Sequence, residues 1–429
     1  MLIPIKTPKI LFCLLFLFFG LTQAMNAQNN WSQNNKATKS ENGKILPNVV
    51  IILADDMGYA DLQGYGGVAN TPNLDALDPG LNQPQPHQQG FDYSLGTENN
   101  AEPSHLNPVN YIRNGSPLGE VEGYSCQLVA DEVDFWFEEK YQEEKPFFLY
   151  VAFHEPHAKV ASPDDLIANY PGYDKKAAEY FANIENMDLA AGRILQALKS
   201  RGLDKNTMVF FASDNGPYRI GSQGELRGLK GEVYDGGIKV PGIFSYPGAF
   251  PGKREIDTPI WFQDLLPTIG GLTDTPIPSD RKYDGINLLP LLEGGGIERE
   301  KPMLWYFYRS SPEFAMRKRD YMLLARANDK VPRTHGVSDI DMTFIKTIQP
   351  EFYELYNVAN DAGQQEDLAA TEPDKLEAMK NELLVLLEEI KKEGPVWEGL
   401  PIYEEKKANH NKPEEFIRNQ ERFLIEVKE

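Results

Sequence analysis

The chain is poor in cysteine, in histidine and in positive charge, and each shortage narrows what it can be. Only Cys13 and Cys126 occur in 429 residues. Cys13 falls in an apolar stretch read below as a removable leader, so an exported chain has no internal disulfide and its fold rests on core packing. Cys126, within GYSCQLVADEVDFW, lies on a helix-like pattern and reads as a packed core residue rather than a reactive thiol. With 6 histidines in the whole chain, a histidine-built zinc centre is disfavoured. Lys and Arg number 43 against 64 Asp and Glu, a formal net charge of -21. That field repels a nucleic-acid backbone and an anionic lipid surface, which sets nucleic-acid binding aside. The longest apolar run is confined to the amino terminus, where Lys6 and Lys9 precede residues 10–21 and then Thr22 and Ala24. This is the layout of a secretory signal peptide, and no later run is long enough for a membrane span. The expectation is an exported chain, periplasmic or secreted, with residues 1–27 as signal peptide and 28–45 as a polar, mobile leader.

What remains is a large globular chain, 41% hydrophobic and 11% aromatic. Val49, Val50, Ile51, Ile52 and Leu53 form a continuous β-branched and apolar run, too short for an independent helix. It reads as a strand buried on both faces. Thr71 and Pro72 open a short helix in TPNLDAL, which breaks off at Asp78, Pro79 and Gly80 into the loop LNQPQPHQQG. Apolar residues at helical spacing (Leu128, Val129, Val133, Phe137) predict an amphipathic helix over 124–141. FFLYVAF is a second buried strand, 174–201 a long helix ended by Gly202, and TMVFFAS a third buried strand. Strand and helix alternate, which predicts a doubly wound α/β sheet over 46–295. VPGIFSYP suggests another strand, 260–269 a helix and 276–284 a linker. Beyond it LWYFYR, YMLLARA and EFYELYN alternate like antiparallel strands, and 375–391 reads as a helix. A smaller α+β subdomain is therefore expected over 296–395, followed by a charged tail over 396–429.

Three of the predicted strands end in residues suited to one site. Asp55 and Asp56 follow the first, His154 and His157 (in HEPH) the second, and Asp214 with Asn215 the third. In open α/β sheets ligands gather outside the carboxyl ends of the strands. Three carboxylates and an amide oxygen are hard ligands of the kind Ca²⁺ takes. A Gly-rich segment shortly after, with Arg227, Lys230 and Lys239, adds positive charge.

LADDMGYADLQGYGG with TPNLDAL, HEPH, SDNG and LRGLKGEVYDGGIKVP together resemble the sulfatase family. These are the formylglycine-dependent sulfuric ester hydrolases of the alkaline-phosphatase-like superfamily, and ELYNVANDAGQQEDLA is similar to their carboxyl-terminal stretch. The resemblance implies an alkaline-phosphatase-like mixed sheet with a smaller antiparallel-sheet subdomain. It also implies one Ca²⁺ held by Asp55, Asp56, Asp214 and Asn215, with Lys230 on the sulfate and His157 on the ester oxygen or leaving group. His154 is the weaker of the two histidines, because His157 holds the position after Pro. The implied substrate is a sulfate ester, most plausibly of a carbohydrate.

The departure from the family lies in the nucleophile. Neither Cys-x-Pro-Ser-Arg nor Ser-x-Pro-Ser-Arg occurs in this chain, and the family's Gly-Lys-Trp-His-Leu-Gly segment is absent too. The sequence passes from Leu77 almost directly to HQQGFDYSLG, as though shortened near 78–90. Without a nucleophile the covalent route has no first step, so little or no turnover is expected. Part of the core should be uncovered, and metal affinity should fall. A Ca²⁺-dependent binding protein for sulfated glycans and a damaged version of an active enzyme are the competing expectations. A phosphodiesterase of the same superfamily is a weaker one.

Overall fold

The computed structural model describes residues 45–57, 90–97, 100–143, 145–218, 220–280, 282–307, 312–328 and 344–394, with 39 and 86 besides. The expected signal peptide, the TPNLDAL helix, the charged tail and all of the leader but residues 39 and 45 lie outside them. The chain divides into two compact units. One contains the described residues up to Gly224 with Lys239–Arg299, and the other contains Glu225–Ile238 with the described residues from Glu300 onward.

In the first unit, β1 (Asn48–Ala54) is followed by a small antiparallel sheet of two-residue strands. These are β2 (Leu95–Gly96), β3 (Ile112–Arg113) and β4 (Ser116–Pro117). Then come helix α1 (Ser125–Glu139), β5 (Phe148–Ala152), helix α2 (Lys175–Ser200), β6 (Thr207–Ser213), β7 (Gly242–Ser245) and helix α3 (Leu265–Leu272). The main sheet runs β5-β1-β6-β7, with the first three strands parallel and β7 antiparallel. The unbroken apolar sequence of β1 follows from its central place. Val50, Ile52 and Ala54 join the core beneath α1 and α2, while Val49 and Ile51 join Met208, Phe210 and Leu272 on the opposite face. Cys126 is fully buried in the first of these cores.

Helix α2 is as long as its pattern indicated, because Asp174 caps it, accepting from the N–H groups of Lys176 and Ala177. Gly202, at φ 68°, turns the chain out of it. The helix expected at 260–269 is displaced. A 3₁₀ turn over Phe262–Asp264 comes first, and α3 begins at Leu265. Asp264 sets that start: its carboxylate accepts from the N–H groups of Trp261 (3.1 Å) and Ile286 (2.8 Å) and pairs with Arg299 at 2.6 Å. Pro267 then sits in the first turn, where a missing N–H costs nothing.

β5 differs from β1. Among the described residues it has a partner strand on one side only, and Phe148 is 45% exposed.

In the second unit an antiparallel sheet runs in the order β11-β10-β9-β8. It is built from β8 (Met303–Phe307), β9 (Glu313–Lys318), β10 (Tyr321–Arg326) and β11 (Phe352–Asn357). Helix α4 (Pro373–Glu393) presents Met379, Leu383 and Leu387 to Phe314, Met316, Leu323 and Leu355. β9 is the strand the sequence conceals, since its short apolar centre is flanked by Glu313 and by Arg317 with Lys318.

Candidate active site

Strand register assembles the site. Leu53 pairs with Ala152 and Ala54 with Ser213, so the chain segments leaving β1, β5 and β6 emerge at one end of the sheet. There the N–H of Asp214 donates to the carbonyl of Ala54 (3.0 Å) and the N–H of Asp55 to the carbonyl of Glu155 (3.2 Å). Asp56 has φ 65°, a left-handed conformation that Asp and Asn tolerate better than most residues. It is held by its own N–H donating to Asp214 Oδ1 at 3.0 Å, and Met57 N–H donates to Ser213 Oγ at 3.1 Å. Asp214 Oδ1 also accepts from Asn215 N–H (2.8 Å), while Asn215 Nδ2 donates to Asp56 Oδ1 (3.0 Å) and to the carbonyl of Gly216 (2.9 Å). Asp56, Asp214 and Asn215, three of the residues the sequence singled out, thus form one hydrogen-bonded knot, whose centre, the Asp56 side chain, is 4% exposed.

His157 joins it. Its Nε2 lies 3.5 Å from Asp56 Oδ2, and ligand atoms of Asp55, Asp56 and His157 fall within 4.8 Å of one another. Its Nδ1 is 2.8 Å from the carbonyl of Ala158 and 3.0 Å from the carboxamide of Asn100. Asn100 was invisible in the sequence: it stands in the polar loop GTENNAEPS, which has no periodicity and no motif spacing. The donor set, two adjacent carboxylates with a third carboxylate and an amide beside them, fits a hard divalent cation.

His154 goes elsewhere. It is 2% exposed, with Nε2 2.8 Å from Thr97 Oγ1 and Nδ1 3.0 Å from Ser125 Oγ, which in turn lies 2.9 Å from Tyr111 OH. Burial, helped by the nearby His157, lowers it to about 4, so it is neutral near pH 7. Next to it Glu155, fully buried, accepts the N–H of Cys126 at 2.9 Å and is raised to about 7 by burial. His105 lies 3.8 Å from Glu155 with no hydrogen-bond partner for either ring nitrogen among the described residues, and burial lowers it to about 3.

Lys230 belongs to the second unit, on the segment Glu225–Ile238. There the Gly-rich sequence is a packed structure. A Cβ on Gly236 would stand 2.3 Å from the carbonyl oxygen of Gly228, so only glycine fits. Arg227 stacks over the Tyr234 ring at 4.0 Å, and Asp235 lies 3.8 Å from Arg317.

An α/β sheet of alkaline-phosphatase-like type, with an acid-rich site outside the carboxyl ends of its parallel strands, is the class of protein these features define. A search of known families and structures narrows it. The Sulfatase family model matches residues 79–275. A sulfatase from Formosa agariphila is 29% identical over 285 residues, covering 61% of this chain and 49% of that protein. The structure of Ps i-CgsB in complex with k-i-k-neocarrahexaose superposes with a TM-score of 0.69 at 19% identity, covering 86% of this chain and 98% of that one. BT4656, solved in complex with its substrate D-glucosamine-2-N,6-O-disulfate, gives a TM-score of 0.56 at 16% identity over 82% of this chain and 99% of that one. Over residues 79–275 the chain is similar to the sulfatase family, and it spans about half the length of the first curated relatives it matches, 49% and 56%. No helix among the described residues is long and apolar enough to cross a membrane.

Proposed function

We propose that this chain is an exported sulfatase-family protein that binds Ca²⁺ through Asp55, Asp56, Asp214 and Asn215 and holds a sulfate ester, most plausibly of a saccharide. The observation that carries the reading is the convergence of Asp55, Asp56 and His157 within 4.8 Å, at the strand ends where Asp214 and Asn215 also bond to Asp56. A bound Ca²⁺ supplies charge neutralisation for a sulfate oxygen. His157 supplies a hydrogen bond at the ester or leaving-group oxygen, and Lys230 is the residue assigned to a sulfate oxygen. The relatives solved with a neocarrahexaose and with a glucosamine disulfate support a saccharide as the carrier of the ester.

Chemistry beyond binding needs an attacking group, and no Cys-x-Pro-Ser-Arg or Ser-x-Pro-Ser-Arg motif stands in the sequence. We therefore assign the chain retention of the sulfate ester with little or no turnover. Among the described residues β5 has no partner strand on one side and Phe148 is 45% exposed, which supports a sheet short of a neighbour. The same observation favours a second reading, a Ca²⁺-dependent binding protein for sulfated glycans. Incubation of the purified chain with an aryl sulfate and with sulfated glycans in Ca²⁺ tests both. Saturable, Ca²⁺-dependent binding without sulfate release is expected. Catalytic release of sulfate that disappears in Asp214→Ala overturns the assignment of inactivity.

A further inference from the structure

The motif ELYNVANDAGQQEDLA belongs to the same unit as Lys230 and contributes no residue to the acid site. Beyond β11 its chain makes a closed excursion. The carbonyl of Asn357 accepts from the N–H groups of Asn360 (3.1 Å) and Asp361 (2.9 Å), and Leu368 N–H returns to the carbonyl of Leu355 at 2.8 Å. Asp361 shapes the tip. Its Oδ2 accepts from the N–H groups of Gln365 (2.8 Å) and Glu366 (2.9 Å), and its carbonyl accepts from Gln364 N–H at 3.1 Å. Gln364 is thereby set at φ 49°, a left-handed conformation uncommon for glutamine, and it is fully buried. Such a residue persists only where its surroundings over-determine it.

The surroundings that do so are the segment Glu225–Ile238. Gln364 Oε1 accepts from Asp235 N–H at 2.7 Å, and the Gln364 carbonyl accepts from the Arg227 guanidinium at 3.0 Å. One residue thus grips the stretch 227–235 at both ends, with Lys230 between them. Arg227 also donates to Tyr356 OH (3.2 Å), and Gly236 N–H closes on the carbonyl of Arg227 at 2.7 Å. Turn and segment are in close contact, since a Cβ on Gly363 would lie 3.2 Å from the carbonyl oxygen of Glu225. Inside the stretch, Glu232 N–H donates to the carbonyl of Leu229 (3.0 Å) and Glu232 Oε2 accepts from Leu229 N–H (3.0 Å). Lys230 and Gly231 are the central residues of this tight turn, with Gly231 at φ 90°.

We propose that Gln364 is a positioning residue for Lys230, holding both ends of its loop so that the ammonium group meets a sulfate oxygen already in place. The inference rests on the reading of Lys230 as a sulfate contact and names what sets the strength of that contact. A stretch this rich in glycine has many backbone conformations open to it when untied, and their loss on binding weakens the ligand. The grip removes that cost in advance. Gln364 itself touches no ligand and acts through the loop alone.

Calorimetry of the purified full chain in Ca²⁺, with phenyl sulfate as probe and phenol as its unsulfated control, tests this on Gln364→Met, Lys230→Ala and the double variant. Gln364→Met keeps the bulk and removes the side-chain acceptor. It is expected to weaken phenyl sulfate roughly fivefold and to speed amide hydrogen exchange at Asp235 roughly tenfold, with Ca²⁺ affinity held within about twofold. Lys230→Ala should weaken phenyl sulfate roughly tenfold, and adding Gln364→Met to it should cost less than about twofold more. A Gln364→Met loss that persists in full without Lys230, an unaltered phenyl sulfate affinity or an unaltered exchange rate overturns the proposal while leaving the sulfate reading intact. If Lys230→Ala binds phenyl sulfate as the native chain does, the reading of Lys230 falls and the positioning role falls with it. Should Gln364→Met fail to fold, Arg227→Met, which cuts the tie at the other end, carries the same affinity expectations.

Discussion

His154 and His157 stand three residues apart in HEPH, yet one faces the protein interior and the other the acid site. His154 is 2% exposed and fills both of its ring nitrogens with hydroxyls. The His157 side chain is 27% exposed, and one of its nitrogens is directed at a carboxylate. The difference teaches that residue type and proximity to a strand end do not assign a role. Desolvation does: an imidazole kept neutral by burial and saturated with hydrogen bonds is a structural part, while one left facing charge at the surface is a chemical one.

Removing the buried member gives the largest expected effect. His154→Ala removes a buried ring and the hydrogen bonds that Thr97 and Ser125 make to it, which costs roughly 2–4 kcal/mol in denaturant unfolding. Its Ca²⁺ affinity, measured on the folded fraction, should stay within about threefold. An unfolding midpoint unmoved by this substitution breaks the contrast.

The buried group between the two histidines sharpens it through pH. Glu155 is raised from 4.5 to about 7 by burial, so the folded chain keeps a proton that the unfolded chain releases in that window. Its contribution to stability therefore falls as pH rises from 4.5 to about 7. His105 and His154 work the other way. Lowered to about 3 and about 4, they are unprotonated in the folded chain where the unfolded chain takes up protons below 6.5, so their contribution is lost as pH falls. Glu155→Gln should then gain stability relative to the native chain on going from pH 5 to pH 8 with chelator present, at about 2–4 °C of melting temperature per kcal/mol. A difference independent of pH contradicts the assignment of an ionisable, desolvated carboxyl.

The exposed member should show the smallest effect on stability. His157→Ala is expected to stay within about 0.5 kcal/mol of the native chain in unfolding. Binding of a sulfated saccharide in Ca²⁺ should nevertheless weaken roughly tenfold, the loss of one charge-facing hydrogen bond. A stability loss matching that of His154→Ala erases the comparison.

Much of this arrangement was legible beforehand, for physical reasons. β1 could be read because a strand buried on both faces must be apolar throughout, and α2 because its cap and its terminal glycine are written in the sequence. The acids at the ends of β1 and β6 followed from the rule that ligands meet beyond the carboxyl ends of parallel strands. β9 was hidden by its charged flanks, and the start of α3 by a carboxylate whose partners, Ile286 and Arg299, are distant in sequence. Asn100 was hidden for the same reason: its partner His157 is 57 residues away, and nothing local records that contact. The packed state of the loop carrying Lys230 was equally unreadable, since its glycines signal flexibility until the carbonyl that a Cβ would strike is known.

The acids ending β1 and β6 are proposed to form a cation site. Its most direct test is a calorimetric Ca²⁺ titration of the native chain beside Asp56→Asn, the residue both neighbours bond to. Saturable binding that weakens at least roughly 100-fold in the variant is the expected result, the loss of about 3 kcal/mol with one anionic ligand. Native and variant chains that bind Ca²⁺ equally, or a native chain that binds none, would contradict it.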